Sequence, residues 1–166
     1  MIELYLLRHG SAEARRPSLP DPRRRLTEKG KLRLRVILGA ARAAKVRPAL
    51  ILTSPYIRAV ETAELAACVL GCTCPALPTE ALLPGAPPQA LWEEIRSHRD
   101  SRSILISGHE PMLSRAASYI LGASWTLVEI GKGALLCLEA DLAQKRPRGT
   151  LRWLLTYRLA AARRQG

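Results

Sequence analysis

Apolar positions along this chain follow two rhythms. Short, nearly unbroken apolar runs that end abruptly predict strands buried on both faces, and runs with apolar residues three and four apart predict helices that cover them. The first run, Ile2 to Leu7, is interrupted only by Glu3 and ends in Arg8-His9-Gly10. Ser11 to Arg25 carries Pro17, Pro20 and Pro22, which predicts an irregular loop crossing the mouth of whatever lies beyond that strand end. Thr27 as N-cap and Glu28 in the first turn open a helix with Leu34, Ile37, Leu38 and Ala41 on one face. Ala49 to Thr53 is a second strand, ended by Ser54-Pro55, and a helix from Tyr56 to Leu70 follows, stopped by Gly71.

After a proline-rich stretch with one brief strand near Ala76 to Thr79, a helix from Gln89 to Ser97 points Leu91, Trp92 and Ile95 inward. Ser103 to Gly108 is the third strong strand, leading into His109-Glu110-Pro111 and a helix from Met112 to Leu121. Two further strands, Ala134 to Glu139 and Leu151 to Tyr157, flank the basic turn Lys145 to Gly149 and predict an antiparallel hairpin at one side of the sheet. Leu159 to Gly166 reads as a loose cationic tail.

Strand, turn and helix recur in that order, which predicts an α/β fold: one three-layer α/β/α domain over residues 1–166, a mostly parallel sheet with helices on both faces. Parallel strands joined by helical crossovers bring their carboxyl ends to one edge, where such sheets bind ligands. That edge receives Arg8 and His9 from the first strand, Arg58 from the first turn of the helix after the second, and His109 from the third. Arginine forks and a helix N-terminus suit an anion, and Gly10 removes a Cβ where backbone N–H groups could approach one.

Composition changes this picture in one respect. The formal net charge is +12, mostly from 21 Arg in runs such as Arg23-Arg24-Arg25, which predicts attraction to acidic partners. Phe is absent and the few Tyr and Trp are not interleaved with the basic runs, so no stable nucleic-acid complex is expected. Glu3 and Arg8 interrupt anything resembling a secretory leader, and no apolar run reaches membrane-spanning length. Four cysteines, with Cys72-Thr73-Cys74 too closely spaced for the usual zinc pair, fit structural thiols in a reducing cytoplasm, with no metal expected.

Arg8-His9-Gly10, the segment Ser54-Pro55-Tyr56-Ile57-Arg58-Ala59 followed by Thr62-Ala63, and Gly108-His109 together resemble the histidine phosphatase superfamily, the phosphoglycerate mutase-like fold. Ala12, the Arg25-Leu26-Thr27-x-x-Gly30 helix start and Glu110-Pro111 are most similar to the small SixA-type phosphohistidine phosphatases, although Glu61 stands where the family often has Gln. The resemblance implies that His9 is a nucleophile forming a covalent phosphohistidine. Arg8, Gly10, Arg58 and a protonated His109 would hold the phosphoryl group, with no metal and no cofactor. Larger relatives carry a carboxylic acid between the second and third motifs; in that region Glu80 is the one carboxylate between the end of the second helix at Gly71 and Pro84, as an acid or as a surface or capping residue. The implied substrate is a phosphohistidine-bearing protein, the alternative a small phosphate ester, and the third possibility a binding module without turnover. A monomer is expected.

Overall fold

The computed structural model describes residues 1–162 and contains one six-stranded sheet. Its strands are β1 (Ile2–Arg8), β2 (Leu50–Thr53), β3 (Ala76–Pro78), β4 (Ser103–Gly108), β5 (Leu135–Ala140) and β6 (Gly149–Leu155), in the order β3-β2-β4-β1-β5-β6. The first four are parallel; β5 runs antiparallel to β1, and β6 antiparallel to β5. The central strands β1 and β4 pair in register from Glu3 with Ser103 to Arg8 with Gly108, so both motifs end at the same level.

Five helices cover the sheet: α1 (Glu28–Ala43), α2 (Ile57–Leu70), α3 (Pro88–Ser97), α4 (Met112–Ile120) and α5 (Tyr157–Ala162). Leu34, Ile37, Leu38 and Ala41 of α1 join Ala63, Ala66 and Leu70 of α2 in a core against one face. Leu91, Trp92 and Ile95 of α3 join Met112, Leu113 and Ala116 of α4 in a core against the other. The fold is therefore the expected α/β/α arrangement, with every residue of β4 buried between the two cores. Among the described residues, no helix is long and apolar enough to cross a membrane.

Two local features set the edge that carries the motifs. The Thr27 side chain caps α1 by accepting from the Gly30 N–H at 3.0 Å, while the Thr27 N–H and hydroxyl both donate to the Ser11 carbonyl. A Cβ at Gly30 would collide with that carbonyl, so glycine lets the start of α1 lie backbone to backbone against the segment leaving β1. At the end of α2, Gly71 takes φ 72°, the left-handed stop that its sequence position predicts.

The C-terminal expectation is corrected in part. Tyr157–Ala162 is a helix rather than a loose tail: Ala160 is buried in the α1–α2 core, and the Arg33 guanidinium lies 5.0 Å over the Tyr157 ring. The remainder of the predicted tail, residues 163–166, lies outside the described residues.

Candidate active site

At the carboxyl edge, His9, Arg58 and His109 meet. Each is at least nine-tenths buried. The His9 Nδ1 lies 2.7 Å from the Gly10 carbonyl oxygen, which can only accept, so Nδ1 carries the proton and Nε2 presents its lone pair. Toward that lone pair the Arg58 Nε–H donates at 3.2 Å. The His9 and His109 ring centroids are 5.1 Å apart, and the Tyr56 ring stands 5.0 Å from His109 on its other side. The His109 Nε2 is 2.8 Å from the Ser54 hydroxyl, while its Nδ1 is buried without a partner. Arg8 is less buried; its NH1 donates to the Ile130 carbonyl at 2.8 Å and its Nε has no partner.

Strand ends and helix starts explain this convergence. Arg8 and His9 follow directly from β1, Ser54 from β2 and His109 from β4, while Arg58 occupies the first turn of α2. The Thr62 hydroxyl, one turn further along α2, donates to the Arg58 carbonyl at 2.6 Å and accepts from the Gly10 N–H at 3.3 Å. Gly10 therefore does not serve as expected: its N–H is committed to Thr62, and a Cβ there would press to 2.7 Å against Leu34. A side chain there would have to displace the buried Leu34.

Burial dominates the electrostatics. It pushes the His9 imidazole down to about 4, with the Arg58, Arg8 and Lys132 charges adding to it and the Gly10 hydrogen bond opposing. His9 is thus neutral at neutral pH, the state its expected role requires. Burial, then His9, Arg58 and Arg8, hold His109 down to about 3, with Asp21 pulling the other way. The expected protonated His109 is accordingly not what these surroundings favour; a nearby anion is the kind of group that favours the charged ring. Burial also lowers Arg58, which Asp21 opposes.

Both histidines have folded values below the unfolded 6.5, so between those values the unfolded chain binds more protons. The stability they contribute is present above about pH 6.5 and is lost as the pH falls toward 4. We expect the ring resonances of His9 and His109 to stay unprotonated down to about pH 5.5 in an NMR titration. A His9 midpoint near 6.5 would contradict the buried, cation-flanked ring.

Glu80 does not join the cluster. It begins a short 3₁₀ turn capped by the Thr79 side chain, is exposed, and makes no hydrogen bond or ion pair with His9, Arg8, Arg58 or His109 among the described residues. The carboxylate that does join is Asp21, from the proline-rich loop: its Oδ2 accepts from Arg58 NH2 at 3.0 Å and its Oδ1 from Arg24 NH1 at 2.7 Å. Those guanidinium groups hold it at about 2 despite its partial burial. Glu110, beside His109, is half-buried with Oε1 unpartnered; burial raises its pKa, while Ser114 and Arg8 oppose. Glu61 accepts from Arg25 Nε and from the Leu26 N–H, both at 2.7 Å, and so clamps the end of the loop onto α2. Among the described residues no cluster of His, Cys, Asp and Glu is arranged to hold a metal ion.

The fold and this pocket define an α/β protein that sets a neutral imidazole among cationic groups suited to an anion. Comparison with known proteins places that class. The sequence profile of the histidine phosphatase superfamily (branch 1) matches residues 4–82. An uncharacterised protein of Picosynechococcus sp. is 30% identical over 151 residues, covering 86% of this chain and 88% of that one. The chain belongs to the histidine phosphatase superfamily. Its fold is similar to that of the protein histidine phosphatase SixA complexed with tungstate, with a TM-score of 0.85, 21% identity and coverage of 94% and 97% of the two chains. It is also similar to the alpha-ribazole phosphatase from Shigella flexneri, with a TM-score of 0.73, 19% identity and coverage of 94% and 97%.

Proposed function

We propose that the protein is a phosphatase acting on protein phosphohistidine through a covalent intermediate on His9. The His9 Nε2 lone pair attacks phosphorus, the bond from phosphorus to the substrate imidazole nitrogen breaks, and that ring, protonated on its distal nitrogen, departs with the electron pair as neutral imidazole. Positive charge developing on the His9 ring is shared through Nδ1–H with the Gly10 carbonyl, while the Arg58 Nε–H passes from Nε2 to the phosphoryl oxygens, whose charge Arg8 and Arg58 offset. Water then attacks the phosphohistidine, releasing inorganic phosphate and restoring the neutral ring.

The observation that carries the choice of leaving group concerns acids. Glu80 is exposed and unconnected to the pocket, and Asp21, the carboxylate bonded to Arg58, is held at about 2 and is ionised at neutral pH. Neither is placed to protonate an alkoxide, and Glu110, the remaining carboxyl group beside His109, makes no hydrogen bond to His9, Arg8 or Arg58 among the described residues and is tested by its Gln variant. An imidazole needs less help, because its conjugate acid has a pKa near ~6.5 and it leaves as a neutral ring. The fold shared with SixA supports the same reading. The fold shared with alpha-ribazole phosphatase supports a second, hydrolysis of a small phosphate ester by the same nucleophile.

Comparing kcat/KM on a phosphohistidine peptide, an aryl phosphate and an alkyl phosphate separates them. The peptide and the aryl ester should react well and the alkyl ester poorly, with Glu80→Gln and Glu110→Gln changing little. Fast alkyl phosphate hydrolysis that either substitution slows by ~10² to 10⁴, the size of general acid catalysis, would select the small-ester reading instead.

A further inference from the structure

Arg58 is held from two sides. Its Nε–H faces His9 Nε2, and its outer edge is gripped entirely by Asp21: NH1 donates to the Asp21 carbonyl at 2.7 Å and NH2 to Asp21 Oδ2 at 3.0 Å. One residue of the loop thus fixes the plane of the guanidinium through both its main chain and its side chain. The grip is itself braced. Pro20 and Pro22 flank Asp21 in a 3₁₀ turn, and the largely buried Arg24 ties the turn together by donating to Asp21 Oδ1 at 2.7 Å and to the Glu13 carbonyl at 2.6 Å. The end of the loop is clamped to α2 by Glu61.

We propose that Asp21 is a positioning residue of the reaction, an anionic clasp that aims Arg58 at the phosphoryl site beside His9 while weakening the pocket's hold on free phosphate. The proposal rests on His9 being the nucleophile. Its first half follows from geometry: a guanidinium anchored along one edge cannot rotate, so its remaining N–H groups meet the transferring phosphoryl group without reorganisation. Its second half follows from charge: a permanent carboxylate 3.0 Å from Arg58 offsets part of the attraction that Arg58 and Arg8 exert on a phosphate dianion. Orientation serves the transition state, and offset charge serves release of the product.

These two effects give Asp21→Asn an unusual signature. The variant keeps the main-chain carbonyl and the size of the side chain but loses the charge. Single-turnover labelling of His9 by an aryl phosphate should slow by about 10 to 10²-fold, because small misplacement of a charged group is costly in the transition state. Inhibition by inorganic phosphate should tighten, by about tenfold, as the offsetting charge is removed. Asp21→Ala, which removes the side-chain grip altogether, should slow labelling further. A merely structural role would weaken labelling and phosphate binding together. That joint loss, or unchanged labelling in both variants, would overturn the proposal. Absence of His9 labelling in the wild-type protein would instead overturn the assigned nucleophile, so the two failures are distinguishable.

Discussion

His9→Ala is expected to abolish both turnover and phosphoryl labelling, a loss bounded only by the detection limit. The His9 Nδ1 proton is committed to Gly10, which leaves Nε2, facing the Arg58 Nε–H at 3.2 Å, as the nitrogen that carries the lone pair. His109 is placed differently, with its Nε2 2.8 Å from the Ser54 hydroxyl and its Nδ1 buried without a partner, and on the proposed mechanism it stabilises the phosphoryl group rather than accepting it. His109→Ala should therefore leave labelling possible and slow it by roughly 10² to 10³, the loss typical of one transition-state donor. The measurement is phosphoenzyme trapped by an alkaline denaturing quench after mixing with an aryl phosphate, with the base-stable, acid-labile label mapped to a residue. Undiminished labelling of His9→Ala would sink the mechanism. Equal and complete loss in both variants would mean that the two rings act as a unit.

Arg58→Lys should cost about 10² to 10³ in kcat/KM while the fold persists. Lysine retains the charge but offers a point donor on a flexible stem, whereas Arg58 makes three directed bonds at once, to His9 Nε2, the Asp21 carbonyl and Asp21 Oδ2. An ammonium cannot reach all three. Removing the guanidinium also leaves the Asp21 carboxylate, one-third exposed, with only Arg15 and Arg24 as cationic partners. Arg58→Ala should be at least as damaging, and its thermal unfolding should show whether the helix start survives. Wild-type kcat/KM in Arg58→Ala would place Arg58 outside the chemistry despite its position.

Much of this arrangement was legible in the sequence, for reasons that differ by residue. The runs Ile2 to Leu7 and Ser103 to Ile106 are apolar because both faces of their strands are buried, so their ends could be located, and with them His9 and His109. Arg58 was found because Ser54-Pro55 marks the turn into α2. Asp21 was not, because a proline-rich loop has no period to read; only the bonds to Arg24 and Arg58 decide where its carboxylate sits. Glu80 was singled out by its order along the chain, yet the exposed turn it begins points to no partner in the pocket. The six-residue α5 escaped for a similar reason: at that length propensity is too weak to decide, and burial of Ala160 against α1 decides instead.

The place of β4 between β1 and β2 has a consequence for the order in which the molecule can be made. β1 bears His9 and β2 leads to Arg58, but the two strands have no pairing with each other; each pairs with β4, which begins only at Ser103. A nascent chain that has emerged as far as Leu82 carries His9 just after β1 and Arg58 in the helix after β2, with no strand yet between β1 and β2. Their edges are apolar and unpaired, an aggregation hazard that persists until β4 slides in, and β1 keeps one bare edge until Leu135–Ala140 follows. Because every pairing of β1 is with a strand more than ninety residues away, collapse must close long loops before it is rewarded, which slows folding. Residues 103–108 are thus the keystone of the sheet: until they arrive, nothing in the pairing holds the ends of β1 and β2 at one edge.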